Sequence, residues 1–219
     1  MKMLELFSGS GIMAKTFREN GFKTITFDKN YKADIQCSIR YWNVPKWLIC
    51  FDVVWASPPC TTFSVASIST HWKGGKNAYV PKTEKCELGL LFLDKTIQTI
   101  SIIKPNYWYI ENPRGVMRKV IDKIFEKYNI KNVIRHTVTY CQYGEERMKP
   151  TDIWTNNRLW IPKPMCKNGD SCHVSAPRGS RTGTQGLKNN YERSKLPKEL
   201  CEEIVRVSLN SKTEGDKDA

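Results

Sequence analysis

The first 155 residues alternate between short apolar runs and amphipathic segments, and this alternation restricts the fold more than any other feature. Runs rich in β-branched and aromatic residues indicate strands, and apolar residues that recur every three to four positions indicate helices. Strands that alternate with helices form a parallel sheet covered on both faces. The sequence therefore predicts an α/β fold with a doubly wound, mostly parallel, Rossmann-like sheet. The predicted strands cover residues 3–7, 23–27, 51–56, 107–110, 133–140 and 151–155, and the predicted helices cover 12–20, 87–103, 116–128 and 196–209.

The composition changes after this alternating part. Residues 156–191 are rich in Gly, Pro, Ser, Asn and basic side chains and have no clear periodicity, so we interpret them as a small loop-rich insert on a core formed by residues 1–155. Residues 192–210 contain a further helix that we expect to complete the core. The polar residues 211–219 are predicted to form a disordered tail.

A strand that ends at two prolines presents the first chemically notable side chain. Pro58 and Pro59 follow the predicted strand 51–56 and cannot continue a sheet, because proline lacks an amide donor and has a fixed φ. Cys60 is therefore expected on a stiff loop at the carboxyl end of a strand, where open α/β sheets bind ligands. We interpret Cys60 as a candidate nucleophile. The alternative is a buried structural cysteine.

A carboxylate follows another strand in the same way. Glu111 comes directly after the predicted strand 107–110 and begins the sequence Glu111-Asn112-Pro113. This exit lies on the same edge of the predicted sheet as Cys60. A thiol and a carboxyl group that converge on one edge suit covalent catalysis with proton transfer. The alternative for Glu111 is a surface carboxylate.

The first strand is followed by a glycine-containing turn that opens the first helix. In Phe7-Ser8-Gly9-Ser10-Gly11 the two glycines allow the backbone to approach a ligand closely at a helix N-terminus. Asp28 ends the second strand, and a carboxylate in that position can bind ribose hydroxyls. Together they favour a site for a nucleoside-bearing cofactor, although a tight turn of this kind also occurs without a ligand.

The charge of the chain favours a polyanionic partner. Lys and Arg exceed Asp and Glu, giving a formal net charge of +13 at pH 7. This suits nucleic acid, and a generally basic solvated surface is the alternative. The basic residues that we expect to contact phosphates are Lys149, Arg178, Arg181, Lys188 and Arg193.

Several properties argue for a reducing compartment away from membranes. No apolar stretch approaches the roughly 18 residues needed to span a bilayer. No signal peptide is visible, and the eight cysteines lack a compact disulfide framework. We therefore expect free thiols and a cytoplasmic protein.

A metal site is a further hypothesis. Cys166, Cys172 and His173 have side chains that bind zinc, and Cys141 or Cys201 is available as a fourth ligand. Their spacing differs from that of standard zinc fingers. The alternative is a loop with unligated thiols.

The motifs of this chain, taken in order, resemble those of the C5-cytosine-specific DNA methyltransferase family, in particular its short phage- and virus-type branch. The resemblance covers nearly the whole chain and rests on the segments 7–11, 57–61, 110–113, 140–144, 147–149, 153–156 and 197–200. It implies transfer of a methyl group from S-adenosylmethionine to C5 of cytosine in double-stranded DNA. A monomer is expected, in the cytoplasm of a bacterial or virus-infected cell, or in the nucleus of a eukaryotic host.

The resemblance also implies roles for individual residues. Cys60 is expected to attack C6 of a flipped-out cytosine, Glu111 to support N3, and Arg147 to lie near the reacting base, with Lys149 beside it. Asp28 is expected near the ribose. The short branch often has an acidic residue at the position of Ser38, and Asp34 is the nearby alternative. The residues expected beside the cofactor are Phe7, Ser8, Gly9, Ser10, Gly11, Asp28, Ser38, Ile39 and Pro58.

Two other functions are compatible with the same motifs. The first is the same chemistry on a modified pyrimidine or on cytosine in RNA. The second is a nucleic-acid-binding relative that has lost turnover, which the intact set of Cys60, Glu111 and Arg147 disfavours.

Overall fold

The computed structural model describes residues 1–45, 50–74, 78–175 and 189–209 of the chain. Three of the basic residues predicted to contact phosphates, Arg178, Arg181 and Lys188, lie outside the described residues, as does the predicted tail at 211–219.

Strands and helices alternate along the described residues as the sequence predicts. In chain order the elements are β1 (Lys2–Leu6), α1 (Ile12–Glu19), β2 (Lys23–Asp28), β3 (Ile35–Gln36), β4 (Val53–Ala56), α2 (Ile68–His71), β5 (Trp72–Lys73), β6 (Val80–Pro81), α3 (Glu84–Ile103), β7 (Tyr107–Pro113), α4 (Met117–Lys127), β8 (Ile134–Thr139), β9 (Pro150–Thr155), α5 (Asn190–Ser194) and α6 (Lys198–Leu209). The short elements β3, β5, β6, α2 and α5 were not predicted, because segments of two to five residues carry little periodicity.

Seven of the strands form one sheet in the order β3-β2-β1-β4-β7-β9-β8. Strands β3, β2, β1, β4 and β7 are parallel neighbours, and β9 runs antiparallel to both β7 and β8. The prediction of a mostly parallel α/β sheet is confirmed. Strands β5 and β6 form a separate antiparallel pair.

Apolar side chains cover both faces of this sheet. Successive side chains of a strand point to opposite faces, so Leu4 and Val54 pack in one core cluster while Met3 and Trp55 pack in another. The first cluster includes residues of α3 and α4, and the second includes residues of α1 and α6. This burial on both faces explains why the central strand β4, Val53–Ala56, is apolar without alternation.

Strand β7 is longer than predicted, which changes the setting of its polar residues. Glu111 and Asn112 belong to the strand rather than to a loop, because the antiparallel neighbour β9 pairs Glu111 with Ile153 and Asn112 with Asp152. The two polar residues therefore extend past the end of β4, which pairs with β7 as far as Ile110. The sequence predicts this strand only as far as Ile110, because the apolar run ends there.

The residues after β9 begin by packing on the core. Asn157 donates a hydrogen bond from its side-chain amide to the hydroxyl of Tyr109 at 2.8 Å, and Trp160 donates from its indole nitrogen to Glu203 of α6 at 2.7 Å. Both side chains are buried. Residues 156–175 contain no helix or strand, whereas α5 begins at Asn190, within the predicted insert.

None of the helices in the described part of the chain has the length and apolar character needed to cross a membrane.

Candidate active site

Cys60 is presented on a tight turn after β4. Strand β4 ends at Ala56, and the carbonyl of Cys60 accepts hydrogen bonds from the amides of Phe63 at 3.0 Å and Ser64 at 3.1 Å. The Cys60 side chain is exposed, whereas Thr62 and Phe63 of the same turn are buried. Thr62 and Phe63 therefore anchor the turn in the core, and the Cys60 thiol stays accessible, as a nucleophile requires.

Neighbouring elements hold this turn closely. The side-chain amide of Asn112 donates to the carbonyl of Pro58 at 2.8 Å, and the indole of Trp72 donates to the carbonyl of Thr62 at 2.6 Å. A Cβ atom added at Gly115 would lie 2.0 Å from the carbonyl oxygen of Phe63, so only glycine allows this approach. The backbone around Cys60 is thus fixed by β7, β5 and the residues that follow β7.

Glu111 is buried at the same edge of the sheet, with 6% of its surface exposed. It accepts a hydrogen bond from the hydroxyl of Tyr140 at 3.2 Å. Burial raises the pKa of Glu111 above its ordinary value, and Lys149 and the hydrogen bonds from Tyr140 and Ser57 oppose this increase. The site therefore favours the protonated carboxyl group more than water does, which suits an acid.

Lys149 is the cation that acts on this carboxyl group. Its ammonium donates to the hydroxyl of Tyr140 at 3.3 Å and to the carbonyl of Arg193 at 3.0 Å, and its side chain is buried. Burial lowers the pKa of Lys149, while the negative charges of Glu111 and Cys60 raise it. Lys149 therefore interacts electrostatically with both the predicted nucleophile and the predicted acid.

The same charges act on the thiol. Surrounding protein raises the pKa of Cys60 by desolvation, although the side chain is exposed, and Glu111 raises it further. Lys149 and Arg193 lower the pKa of Cys60. A protonated Glu111 removes the opposing charge, so the acid form of Glu111 and the thiolate form of Cys60 favour each other.

Arg147 lies next to this group but is engaged elsewhere. Its guanidinium forms an ion pair with Glu145 and donates to the carbonyls of Arg193 at 3.2 Å and Lys195 at 3.4 Å. It also lies 5.6 Å from the centre of the Tyr140 ring. Arg147 thus holds the backbone at the end of α5 and just after it, whereas the charge of Lys149 acts on Glu111.

The predicted cofactor turn has the backbone conformation that glycine permits. Gly9 has φ of +50° and Gly11 of +66°, and Phe7, which precedes them, has φ of +58°. A Cβ atom added at Gly11 would meet no atom within 4 Å, so the turn has open space in front of it. Ser8 and Ser10 lie within this turn, between β1 and α1.

Asp28 joins the glycine turn to the loop after β2. One carboxylate oxygen accepts from the amide of Gly9 at 3.0 Å, and the other accepts from the amides of Asn30 at 2.7 Å and Tyr31 at 3.1 Å. Asp28 is buried at the end of its strand, beside the turn where the sequence predicts the cofactor.

Other residues predicted beside the cofactor lie after this loop and after β4. Ser38 caps a short 3₁₀ turn at Ile39–Tyr41, and Ile39 is buried. Asp34 accepts from the amide and hydroxyl of Thr26, each at 2.8 Å, so its carboxylate is used to pair the loop with β2. Pro58 is buried at the carboxyl end of β4.

The structure brings together the residues of the predicted metal site. Ligand atoms of Cys141, Cys166, Cys172 and His173 all lie within 4.8 Å of one another. Cys201, the alternative fourth ligand, is buried in α6 within the core cluster that contains Met3 and Trp55.

Two residues of the site were not assigned from the sequence. Asn112 fixes the Pro58 carbonyl, and Tyr140 contacts both Glu111 and Lys149. A polar residue at the end of a strand is a signal that it belongs to the site. Asn112 directly follows Glu111, and Tyr140 ends a predicted strand, so both carried this signal.

Comparisons with known proteins identify relatives. Residues 1–133 match the family model described as C-5 cytosine-specific DNA methylase. A protein of Frog virus 3 (isolate Goorha) named "Probable DNA (cytosine-5)-methyltransferase" is 30% identical over 223 residues, which cover 94% of this chain and 99% of the viral protein.

Solved structures share the fold. A prophage-encoded protein from E. coli, assigned as a DNA modification methyltransferase, superposes with a TM-score of 0.52 at 16% identity, covering 76% of this chain and 52% of that one. The Entamoeba histolytica methyltransferase EhMeth gives a TM-score of 0.50 at 16% identity, covering 76% and 57%. This chain thus spans about half the length of the solved structures it matches. On the family match and the viral relative, the chain belongs to the C-5 cytosine-specific DNA methylase family.

Proposed function

We propose that this protein transfers a methyl group from S-adenosylmethionine to C5 of a flipped-out cytosine in double-stranded DNA. The observation that carries the proposal is the arrangement of Cys60, Glu111 and Lys149. An exposed thiol, a buried carboxyl group and a buried ammonium act on one another at the carboxyl edge of the sheet. Membership in the C-5 cytosine-specific DNA methylase family supports the same activity.

S-adenosylmethionine fits the turn formed by residues 7–11. The space in front of Gly11 and the positive φ of Gly9 and Gly11 create a cradle of backbone groups. We assign Ser8 and Ser10 to the lining of this cradle. Asp28, whose carboxylate accepts a hydrogen bond from the amide of Gly9, lies on its β2 side. The residues assigned beside the nucleoside are Ser38, Ile39 and Pro58. When bound, the cofactor supplies an electrophilic methyl group.

Cys60 and Glu111 activate the base. The thiolate of Cys60 adds to C6 of cytosine, which moves electron density from the C5–C6 double bond into the ring. Glu111, protonated, donates a hydrogen bond or its proton to N3 and stabilises the charge that develops there. C5 then has the nucleophilic character that methyl transfer requires.

The last steps restore the aromatic ring. After C5 has received the methyl group, its proton passes to solvent water. The electron pair of that C–H bond re-forms the C5–C6 double bond as the bond between C6 and the Cys60 sulfur breaks. Cys60 leaves as a thiolate, and N3 returns its proton to Glu111. The enzyme is then in its starting state.

Basic residues supply the electropositive setting. We assign to Lys149 the role of the cation that supports both Cys60 and Glu111. Arg147 holds the end of α5, which carries Arg193, and the residue Lys195 that follows it. Arg193 lowers the pKa of Cys60, which also suits contact with a phosphate near the base. Arg178, Arg181 and Lys188 are proposed as further phosphate contacts.

The proposed roles assign a task to each part of the chain. Residues 1–155 are the proposed catalytic core, 156–191 a target-contacting insert and 192–210 the helix that completes the core. We propose a monomer that acts in the cytoplasm of a bacterial or virus-infected cell, or in the nucleus of a eukaryotic host, where its DNA substrate is found.

A transfer assay tests the proposal. The protein is incubated with S-adenosylmethionine labelled in the methyl group and with double-stranded DNA, single-stranded DNA or RNA of one sequence. We expect 5-methylcytosine in double-stranded DNA, and we expect Glu111→Gln to abolish it while cofactor binding persists. Cofactor binding without label in double-stranded DNA would contradict the proposal, and label in RNA alone would assign the same chemistry to RNA.

A further inference from the structure

The four side chains of Cys141, Cys166, Cys172 and His173, here called the Cys3His cluster, lie outside the proposed reaction. We propose that this cluster binds one Zn²⁺ ion as a closed, structural site. Three thiols and one imidazole are a common ligand set for structural zinc. The geometry of the four side chains supports this site independently of the proposed methyl transfer.

Three of the distances within the Cys3His cluster match those of a tetrahedral site. Zinc–sulfur bonds of about 2.3 Å and zinc–nitrogen bonds of about 2.0 Å separate the ligand atoms of a tetrahedron by roughly 3.5–3.8 Å. The sulfurs of Cys172 and Cys141 are 3.7 Å apart, and Nδ1 of His173 lies 3.8 Å from the sulfur of Cys166 and 3.6 Å from that of Cys172. Cys141 and Cys166 are closer, at 3.1 Å, and would separate slightly on binding.

The ligands come from two separate parts of the chain. Cys141 lies in the 3₁₀ turn Tyr140–Tyr143 after β8, and the other three come from the loop after β9. Within that loop the amide of Lys167 donates to Asp170 at 2.7 Å, and Gly169 has φ of +99°, so the chain turns back between Cys166 and Cys172. Such a turn between two cysteines brings both sulfurs to one side.

Hydrogen bonds around the Cys3His cluster support sulfur as the ligand atom. The side-chain amide of Gln142 donates to the sulfur of Cys172 at 3.4 Å, which favours a thiolate. The amide of Cys166 donates to the hydroxyl of Thr139 at 3.1 Å and fixes the first cysteine of the loop to β8. These contacts orient the ligands from both segments.

The loop has little apolar packing to replace such a link. Met165 and Val174 are exposed by 39% and 60%, and residues 167–172 are exposed. A segment that buries so little apolar surface needs another source of order, and metal binding supplies it.

A disulfide explains the Cys3His cluster less well. The 3.1 Å between Cys141 and Cys166 exceeds the roughly 2.05 Å of a disulfide bond. A bond between them would also leave the convergence of Cys172 and His173 without a role.

The position of the site connects it to the catalytic residues. Cys141 directly follows Tyr140, which contacts Glu111 and Lys149. Zinc at Cys141 would therefore fasten the loop after β9 to the segment that carries Tyr140. With four protein ligands, the ion has no open position for a substrate and takes no part in the transfer.

Metal analysis of the full chain tests the inference. The protein is purified under reducing conditions, exchanged with zinc or cobalt, and measured by elemental analysis and visible absorption. We expect about one zinc per chain and thiolate-to-Co²⁺ charge-transfer bands. Cys172→Ser and His173→Gln should each lose stoichiometric zinc and the tetrahedral cobalt spectrum, whereas Cys50→Ser, at an exposed cysteine outside the Cys3His cluster, should retain both.

Two further readouts make the result decisive. Zinc removal by a chelator should lower the melting temperature of the wild-type protein, and added zinc should restore it. Thiol titration of the unfolded, unreduced protein should detect all eight cysteines. A wild-type protein that folds but takes up no zinc or cobalt would overturn the inference, as would a Cys141–Cys166 disulfide in the reductant-free native protein or unchanged metal content in both cluster variants.

Discussion

The side-chain amide of Asn112 donates a hydrogen bond to the backbone carbonyl of Pro58 at 2.8 Å. This bond joins β7, which carries Glu111, to the loop that carries Cys60. Asn112 is wholly buried, so the bond forms away from water. The amide that follows the acid directly therefore helps to fix the Cys60 loop against the strand that carries Glu111.

Replacement of Asn112 tests this positioning role. Asn112→Ala leaves the Pro58 carbonyl without its donor, and we expect a loss of about 1–3 kcal/mol in the free energy of unfolding. We also expect slower methyl transfer with unchanged affinity for S-adenosylmethionine, because the glycine turn is untouched. Chemical denaturation and steady-state kinetics measure the two effects.

Asn106→Ala is the matched control for Asn112. Asn106 is exposed, and its amide bonds to Asp52 before β4, away from Cys60. It should leave the rate of transfer unchanged. Equal kcat in Asn112→Ala and the wild type would refute the positioning role.

Lys149 is expected to set the reactivity of the Cys60 thiol. Lys149→Met removes the cation that lowers the pKa of both Cys60 and Glu111, so both pKa values should rise. Alkylation of Cys60 should then require higher pH, as measured by mass spectrometry of the Cys60 peptide across a pH series. Lys85→Met, at an exposed position in α3, serves as the control.

One result would contradict the predicted role of Lys149. If the alkylation profile of Cys60 is the same in Lys149→Met, in Lys85→Met and in the wild type, Lys149 does not support the thiolate. Lys149→Arg, which keeps the charge, should lie closer to the wild type than Lys149→Met does.

Glu5 should make the stability of the fold depend on pH. Burial in β1 raises the pKa of Glu5 from 4.5 to about 8, although the amide of Ala14 donates to its carboxylate at 2.9 Å. Between these values the folded protein holds a proton that the unfolded chain releases. The free energy of unfolding should therefore fall as the pH rises through this window, by on the order of a few kcal/mol, and level off above about pH 8.

Glu5→Gln isolates this effect, because glutamine keeps an acceptor oxygen for Ala14 and carries no charge. Its stability should vary less with pH than that of the wild type and should exceed it at high pH. Glu19→Gln, at an exposed position in α1, should follow the wild-type curve. Parallel curves for Glu5→Gln and the wild type in urea denaturation would argue against a buried protonated Glu5.

Two glycines beside the Cys60 turn should differ in their tolerance of alanine. At Gly115 the added Cβ meets the backbone oxygen of Phe63 at 2.0 Å, which cannot move without shifting the turn. At Gly89 it meets the side-chain hydroxyl of Thr62 at 2.5 Å, which can rotate, and alanine is favoured within helix α3. We expect Gly115→Ala to cost about 1–3 kcal/mol and Gly89→Ala less, measured by urea denaturation. The reverse order would show that the turn is not constrained at Gly115.

The sheet could be predicted from the sequence because local patterns determine it. The run before Pro58 is apolar without alternation, which is typical of a strand buried on both faces, and strands of this kind occupy the parallel part of the sheet. The extension of β7 through Glu111 and Asn112 was missed, because it depends on pairing with β9, which is distant in sequence. No local pattern reports such a pairing.

The site could be predicted in residue type more than in arrangement. Cys60 follows β4 and Glu111 lies near the end of β7, and the topology brings the ends of these two neighbouring strands together. Arg147 and Lys149 are two residues apart and both basic, so sequence alone does not show which one faces Glu111. In the same way, the choice between Cys141 and Cys201 beside Cys166 depended on how the loop after β9 folds back onto β8.

The central claim is that the Cys60 sulfur forms a bond to C6 of cytosine in DNA. Double-stranded DNA in which 5-fluorocytosine replaces cytosine tests it directly. Fluorine takes the place of the C5 proton, whose loss would otherwise release the enzyme. With S-adenosylmethionine, the wild-type protein should form a denaturation-resistant adduct whose DNA is attached to the peptide that contains Cys60, and Cys60→Ala should form none. An adduct that persists in Cys60→Ala, or a wild-type protein that binds cofactor and DNA without forming one, would contradict the account.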